Sequence, residues 1–407
     1  MKKFLITLVV VVIAVILFFI SSDRKKNIDS VKFSSWGSQS ELNILKSVIS
    51  DFERESGIKV NFVHIPQNYF QKIQLLFASD SQPDVIFMNN QYIKMYADAG
   101  LLLDLSDYFE DEYNLYFPQA LNCFKFEDKL YAVPRDISNL VLYVNKDILE
   151  ASGIQYKTKI NDIYELKGIL LKIKENGYYA INCEDKSLYW LYYLASQGAG
   201  VMSDDLKAII INSKQGQNAL NFYSDLINKY NAAPTKSQIG SMTTAQMFIN
   251  GKLGMYLGGR WMTPKFIQTI NFDWDIIEFP SSPENKVYID SSGWAVSKKS
   301  KNIDAAIKFV KYISSANISE KFTKDGLIVP ARKDVAEKYF NENDNLKPLH
   351  NYIFIKMLEN SKPTPVNENY NKINDIINEK SREMFSGNKK AYEVFDDKTI
   401  NKLESLL

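Results

Sequence analysis

The sequence predicts an α/β protein of two lobes joined by crossing strands, with a helical C-terminal part. Three observations carry that reading. At 407 residues, 45% of them apolar and 24% charged, the chain is too long for a single hydrophobic core. Strand-length apolar runs alternate with helix-length amphipathic ones, which is the arithmetic of βαβ units stacked into open sheets by right-handed crossovers. Residues 130–147, LYAVPRDISNLVLYVNKD, then place two runs of β-formers, 130–133 and 140–144, on either side of Arg135, Asp136, Ser138 and Asn139. Pro134 cannot donate to a sheet ladder, so it is expected to end or edge the first strand. Polar groups between two apolar strands suit a crossing between two bodies, with a polar cleft at the crossing point.

The elements follow in order. Lys2 and Lys3 precede an uninterrupted apolar run over residues 4–20, followed by Ser21, Ser22, Asp23, Arg24 and Lys25. A helix of that length reaches roughly 25 Å, just short of the roughly 30 Å hydrocarbon core of a bilayer. Residues 1–27 are therefore expected to be a signal peptide or an N-terminal membrane anchor, and the protein to be exported. No cysteine follows the run, which excludes a lipid-anchored N-terminal cysteine.

Residues 31–35 read as a strand. Ser38 and Glu41 then have capping-box spacing ahead of a helix with Leu42, Leu45, Val48, Ile49 and Phe52 on one face, ended by Gly57. A strand at 58–65, a helix at 69–78 and a compact apolar strand at 84–88 complete the first units. Beyond the crossing, a helix is expected at 161–175, a strand at 178–182, an aromatic-rich helix at 188–197, and helices at 213–230 and 243–250. A strand at 253–257 ends in Gly258 and Gly259, a pair that lets backbone approach a ligand or turn sharply. Strands at 274–279 and 287–289 bracket a Ser/Pro turn. Residues 293–296 open a further strand before a helix at 302–314, and 327–330 are expected to cross between lobes once more. From residue 333 the pattern is almost all helix.

Composition narrows the function. A net charge of +1, from 49 basic and 48 acidic residues without a long run of either sign, argues against a nucleic-acid partner. The 24 Tyr, 24 Phe and 5 Trp build core, but they also make stacking surfaces for flat apolar ligand faces. Cys123 and Cys183 lie on either side of the crossing, where a bridge would lock the lobes, so unpaired and mostly buried thiols are expected. His64 and His350 read as surface or satisfied histidines. With two histidines and no G-x-S-x-G, H-E-x-x-H or C-x-x-C motif, no nucleophile, metal site or cofactor is expected. Paired carboxylates for glycoside hydrolysis remain open at this level.

Four stretches in a fixed order carry a resemblance: VKFSSWGSQSELNILKSVISDFERESGIKV, PDVIFMNNQYIKMYADAGLLLDLSDYF, KLYAVPRDISNLVLYVNKDIL, and AQMFINGKLGMYLGGRW leading to SSGWAVSKKSKNIDAAIKFVKYISS. Together they resemble the family 1 extracytoplasmic solute-binding proteins of ATP-driven sugar importers, the group that includes maltose-binding protein. The resemblance implies a type II periplasmic-binding-protein-like fold, each lobe an α/β sheet sandwich. Lobe 1 would comprise residues 28–137 and 288–328, and lobe 2 residues 138–287 and 329–407, with the ligand cleft between them. It further implies a monomer that captures a carbohydrate, expected to be an oligosaccharide, by hinge closure and hands it to the membrane subunits of an ABC importer. The location would be the cell surface or periplasm, with a membrane contact through the N-terminal segment if that segment is uncleaved.

The ligand contacts implied are Trp36 after the first strand, Asn89, Asn90 and Gln91 after PDVIFM, Arg135, Asp136 and Ser138 at the hinge, and Trp190 in the second lobe. Gly259, Arg260 and Trp261 follow the glycine-ended strand, Trp294 follows the return crossing, and Tyr370 lies in the C-terminal helices. A pyranose, with apolar C–H faces and many hydroxyls, wants such aromatics together with amide, carboxylate and guanidinium groups. Maltose itself is not implied, because Asn90, Gln91 and Tyr92 stand where maltose-binding protein has an acidic and a basic residue. Plainer roles compete: Arg135 and Asp136 as an interlobe ion pair, Asn89 to Gln91 as helix caps, Arg260 as a cap, Trp274 as core. Rival functions are a glycerophosphodiester or phosphorylated polyol held by Arg135 or Arg260, a carbohydrate-active enzyme, and a surface sensor.

Overall fold

The computed structural model describes residues 30–341 and 347–407. The expected signal peptide or anchor at 1–27 lies outside them. Among the described residues no helix is long and apolar enough to cross a membrane.

In chain order the strands are β1 (Ser30–Ser35), β2 (Lys59–His64), β3 (Val85–Asn89), β4 (Lys125–Phe126), β5 (Lys129–Leu130), β6 (Val133–Ser138), β7 (Leu140–Asn145), β8 (Met255–Gly259), β9 (Trp274–Ile277), β10 (Val287–Val296), β11 (Val329–Pro330) and β12 (Ser361–Pro363). They form a seven-stranded sheet in the order β11-β6-β10-β3-β1-β2, with β12 also on β10, a three-stranded sheet β8-β7-β9, and the small β4-β5 pair. β1 runs parallel to β2 and β3, and the helices Gln39–Ser56 and Tyr69–Ala78 make the crossovers. Ser38 caps the first of these through the expected box with Glu41, and Gly57 ends it in the left-handed region at φ 74°. Phe33, buried on β1, stacks on Phe62 and meets Trp294 and Phe309 edge-on. Tyr143, Phe266 and Trp274 form the corresponding aromatic core of the smaller sheet.

The crossing at 130–147 takes a different form from the one expected. The first strand does not stop at Pro134: β6 runs through Arg135 and Asp136 to Ser138. Proline is tolerated there because its ladder partner is irregular. The register of β6 against β10 shifts between Ser292 and Gly293, and a Cβ at Gly293 would lie 2.5 Å from the Val133 carbonyl oxygen. Only Asn139 separates β6 from β7, so the chain passes from one sheet to the other within a single residue. Asn139 is buried, and its amide donates to the Phe354 carbonyl at 2.6 Å. The second passage runs from β9 to β10 through residues 278–286.

Other expectations are corrected by tertiary pairing. Residues 178–182 form no strand; only an isolated bridge joins Tyr179 to Leu253. The segments 287–289 and 293–296 are one strand, β10, held together by β12 at one end and by β3 and β6 at the other. β12 itself lies in a region expected to be helical. β11 pairs with β6, and Lys338, on the helix Lys333–Tyr339, meets Glu320 at 3.0 Å. Residues 329–339 thus sit with the larger sheet, not with the second body to which a boundary at 329 would assign them. The chain reaches the smaller sheet at Lys347, which pairs with Asp273, and at His350, which pairs with Asp275. Both cysteines are unpaired.

Candidate ligand cleft

The parallel strands of the larger sheet deliver their carboxyl ends to one edge, where ligands of open α/β sheets are bound. Trp36, just past β1, is 45% exposed there, its ring 6.1 Å from that of Phe87. Gly37 follows at φ 143°, a conformation that favours glycine, and a Cβ would lie 2.8 Å from the Glu41 carboxylate. On the smaller sheet, β8 ends at Gly259 and the chain turns through Arg260–Met262 into the helix Thr263–Thr269. The Tyr143 hydroxyl, 3.0 Å from the Gly259 carbonyl and 2.8 Å from Thr263 Oγ1, fixes that turn. Trp261 is 38% exposed and its ring lies over Gly259, so closely that a Cβ there would be 2.0 Å from a ring carbon.

A cleft of about 490 Å³ lies beside the turn at Arg260 and Thr263, within the range of pockets that hold small ligands; Ser40, four residues past Trp36, and Arg260, next to Trp261, are the lining residues nearest in sequence to the two exposed indoles. Ser40 and the segment Thr323 to Leu327 line it from the larger body, and Arg260, Thr263, Pro264 and Gln268 from the smaller. Across it, Gly326, at φ 73°, would place a Cβ 3.4 Å from the Pro264 ring.

Several residues expected to face a ligand are engaged inside the protein. Arg135 and Asp136 bond each other, Nε donating to Oδ2 at 2.8 Å, and Arg135 Nη2 donates to Glu41 at 3.2 Å. The guanidinium is buried among Phe87, Trp294 and Phe322, at 5.0, 5.7 and 5.2 Å. Burial pushes the Asp136 carboxyl above the usual range, against the opposing pull of Arg135 and of the Ser292 amide. Arg260 is 7% exposed. It donates to the Thr323 carbonyl at 3.3 Å and to Asn351, and lies 4.4 Å from the Phe340 ring. It thus sits at the C-terminal end of the helix Ala316–Lys324, where a cation complements the helix dipole.

Asn89 is the N-cap of the helix Asn90–Asp98, accepting from the Gln91 amide at 2.9 Å. Asn90 and Gln91 donate to the two oxygens of Asp290 at 3.1 and 2.8 Å. Asp290 is buried and its carboxyl is pushed up by desolvation. Trp190, Trp294 and Tyr370 are core, each at most 1% exposed: Trp294 packs edge-on against Phe33 and Phe87, and Trp190 meets Phe385. Their indoles and ring fill interior volume that the strands and helices around them leave, so they offer a ligand no face. Of the residues expected to bind, Trp36 and Trp261 present rings, Gly259 seats one of them, and Ser138 and Gln91 are half-buried.

Sequence reasoning missed Asp290, Glu41 as more than a cap, and the contribution of residues 323–327. An aspartate inside the apolar run of β10 was the available signal for the first. For residues 323–327 there was none, because only the packing of the helix Ala316–Lys324 brings them to the cleft.

Comparison with known proteins agrees with this architecture. A family model described as bacterial extracellular solute-binding protein matches residues 36–317. The maltodextrin-binding protein MdxE of Bacillus subtilis is 24% identical over 335 residues, covering 79% of this chain and 77% of the relative. The diacetylchitobiose-binding protein DasA of Streptomyces coelicolor is 26% identical over 299 residues, covering 70% and 68%. An ABC substrate-binding protein of Listeria monocytogenes, solved in complex with cycloalternan, superposes with a TM-score of 0.84 at 22% identity, covering 93% of this chain and 99% of that one.

Proposed function

The chain belongs to the bacterial extracellular solute-binding protein family, and from that premise we propose that it captures an oligosaccharide between Trp36 and Trp261 and delivers it to an ABC importer. The family consists of binding proteins, not enzymes. One observation supports the choice of ligand above the rest. Of 5 tryptophans, Trp190, Trp274 and Trp294 are buried, whereas Trp36 and Trp261 are exposed, each just past the end of a strand and on different sheets. An exposed indole at the end of a strand offers a flat apolar face that a ligand with apolar faces of its own can cover. Sugar rings have such faces, and the hydroxyls around them can meet Ser40 and Gln268, which line the cleft. The relatives named above bind maltodextrin and diacetylchitobiose, and the Listeria protein holds cycloalternan; all three are oligosaccharides. A phosphorylated polyol fits less well, because Arg135 and Arg260 already serve carboxylates, carbonyls and aromatic rings inside the protein.

The body around the larger sheet acts as lobe 1 and that around the smaller sheet as lobe 2, with Asn139 at the hinge. Ligand that touches both lobes only when they are closed shifts the population toward the closed form, which is the form an importer can distinguish. The segment 1–27 directs export, as a cleaved signal or as an anchor. A thermal-shift screen of the purified protein against maltodextrins, chitooligosaccharides and glycerophosphodiesters tests the reading. A ligand at a hundred times its Kd adds about 2.7 kcal/mol of stability, and the sugar should be recovered unchanged. Stabilisation by the phosphodiesters alone overturns it.

A further inference from the structure

We infer that Glu41 and Arg135 are positioning residues for the ligand-facing segment Trp36–Ser38, through an ion chain that ties this rim of the cleft to the hinge strand. The inference rests on the reading of the cleft given above. Glu41 divides its carboxylate between two tasks. Oε2 accepts from the Ser38 amide at 2.9 Å, which holds the turn after Trp36, and Oε1 accepts from Arg135 Nη2 at 3.2 Å. Arg135 cannot follow a moving loop. Its other contact, Asp136, is bonded in turn to the backbone amide of Ser292 on β10 at 3.0 Å, and three aromatic rings enclose the guanidinium. One of those rings, Phe87, also neighbours Trp36. Two other side chains reach the turn, Ser35 Oγ donating to the Trp36 carbonyl at 2.9 Å and His64 Nε2 lying 3.4 Å from the Gly37 carbonyl, but neither holds Ser38: Gly37 is at φ 143°, Ser38 is exposed, and the return bond from the Glu41 amide to Ser38 Oγ is long at 3.3 Å. Since β6 runs directly into the crossing at Asn139, the chain also links the Trp36 platform to the element about which the lobes rotate.

A capping box accepts Gln as readily as Glu, which separates positioning from mere helix capping. Glu41→Gln keeps one acceptor for the Ser38 amide but turns an amide NH2, itself a donor, toward Arg135. Arg135→Lys keeps the charge beside Asp136 but gives up the fork that reaches both carboxylates. Hydrogen exchange of the full chain without ligand is the direct measurement. Both variants should raise exchange at residues 36–41 at least several-fold, with little change over the rest of the helix Gln39–Ser56. Affinity for whichever maltodextrin or chitooligosaccharide stabilises the wild type should fall about tenfold in both. If Glu41→Gln exchanges and binds like the wild type, Glu41 is a helix cap only and the inference is overturned. If no oligosaccharide binds the wild type, the ligand reading fails, and the exchange result alone still decides whether the chain holds the rim.

Discussion

Removing the indole of Trp261 gives the most quantitative consequence of the cleft geometry. The side chain is 38% exposed; of the up to ~250 Å² that a large aromatic can bury, this leaves roughly 95 Å² for a ligand to cover. At about 25 cal/mol per Å² that area is worth about 2.4 kcal/mol, close to a 50-fold change in Kd when a sugar face covers all of it. Trp261→Ala should therefore weaken oligosaccharide binding by up to about 50-fold in isothermal titration, with the fold retained and the melting temperature lowered by the loss of the ring's contact with Gly259. Gly259→Ala sharpens the test. Its Cβ would fall 2.0 Å from the Trp261 ring, and Gly259 itself has an ordinary φ of −92°, so the cost falls on the ring position and not on the backbone. The glycine variant should lose most of the same affinity while keeping all of its aromatic surface. Unchanged affinity in either variant would remove Trp261 from the site.

Three further outcomes follow from the same structure. Arg260→Met removes the bond from the smaller body to the Thr323 carbonyl; bonds from a charged donor contribute about 1.5–3 kcal/mol, so small-angle scattering of the ligand-free protein should show a larger radius of gyration. Gly326→Ala places a side chain at φ 73° beside Pro264. The left-handed strain of about 1–2 kcal/mol should lower stability in denaturant titrations, and closure should be impeded. Asp290 has a folded-state pKa raised by burial, so its contribution to stability is present below the unfolded pKa and lost as pH rises through the folded one. Asp290→Asn, with the Gln91 amide flipped to accept, should therefore melt higher than the wild type at neutral pH, and the difference should shrink as pH falls toward 4; an advantage that grows in acid would contradict the assignment.

How far the sequence foretold these features depended on how local their causes were. The helix Gln39–Ser56 was legible to its cap because Ser38, Glu41 and Gly57 act within one turn of their own chain. The strand β6 was not, because a proline in mid-strand reads as an end unless the bulge at Gly293, more than a hundred and fifty residues away, is known. The same distinction governs the site. Trp36 and Trp261 followed strand or glycine signals and are exposed, whereas Trp294 followed a similar signal and is buried, because Phe33 and Phe87 happen to enclose it. Arg135 and Asp136 were recognisable as polar residues in an apolar setting, but whether such a pair faces ligand or itself depends on the rings packed around it. Asp290 lay hidden because its partners Asn90 and Gln91 are two hundred residues distant in the chain.

Capture by closure requires that an oligosaccharide bring the two bodies together upon Trp36 and Trp261. Small-angle scattering of the wild type and of a Trp36→Ala/Trp261→Ala variant, each titrated with the maltodextrin or chitooligosaccharide that gives the largest thermal shift, tests it most directly. The radius of gyration of the wild type should fall saturably at one sugar per chain, and that of the variant should not change at the same concentrations. A wild type that binds the sugar without compaction, or a variant that compacts as the wild type does, would contradict it.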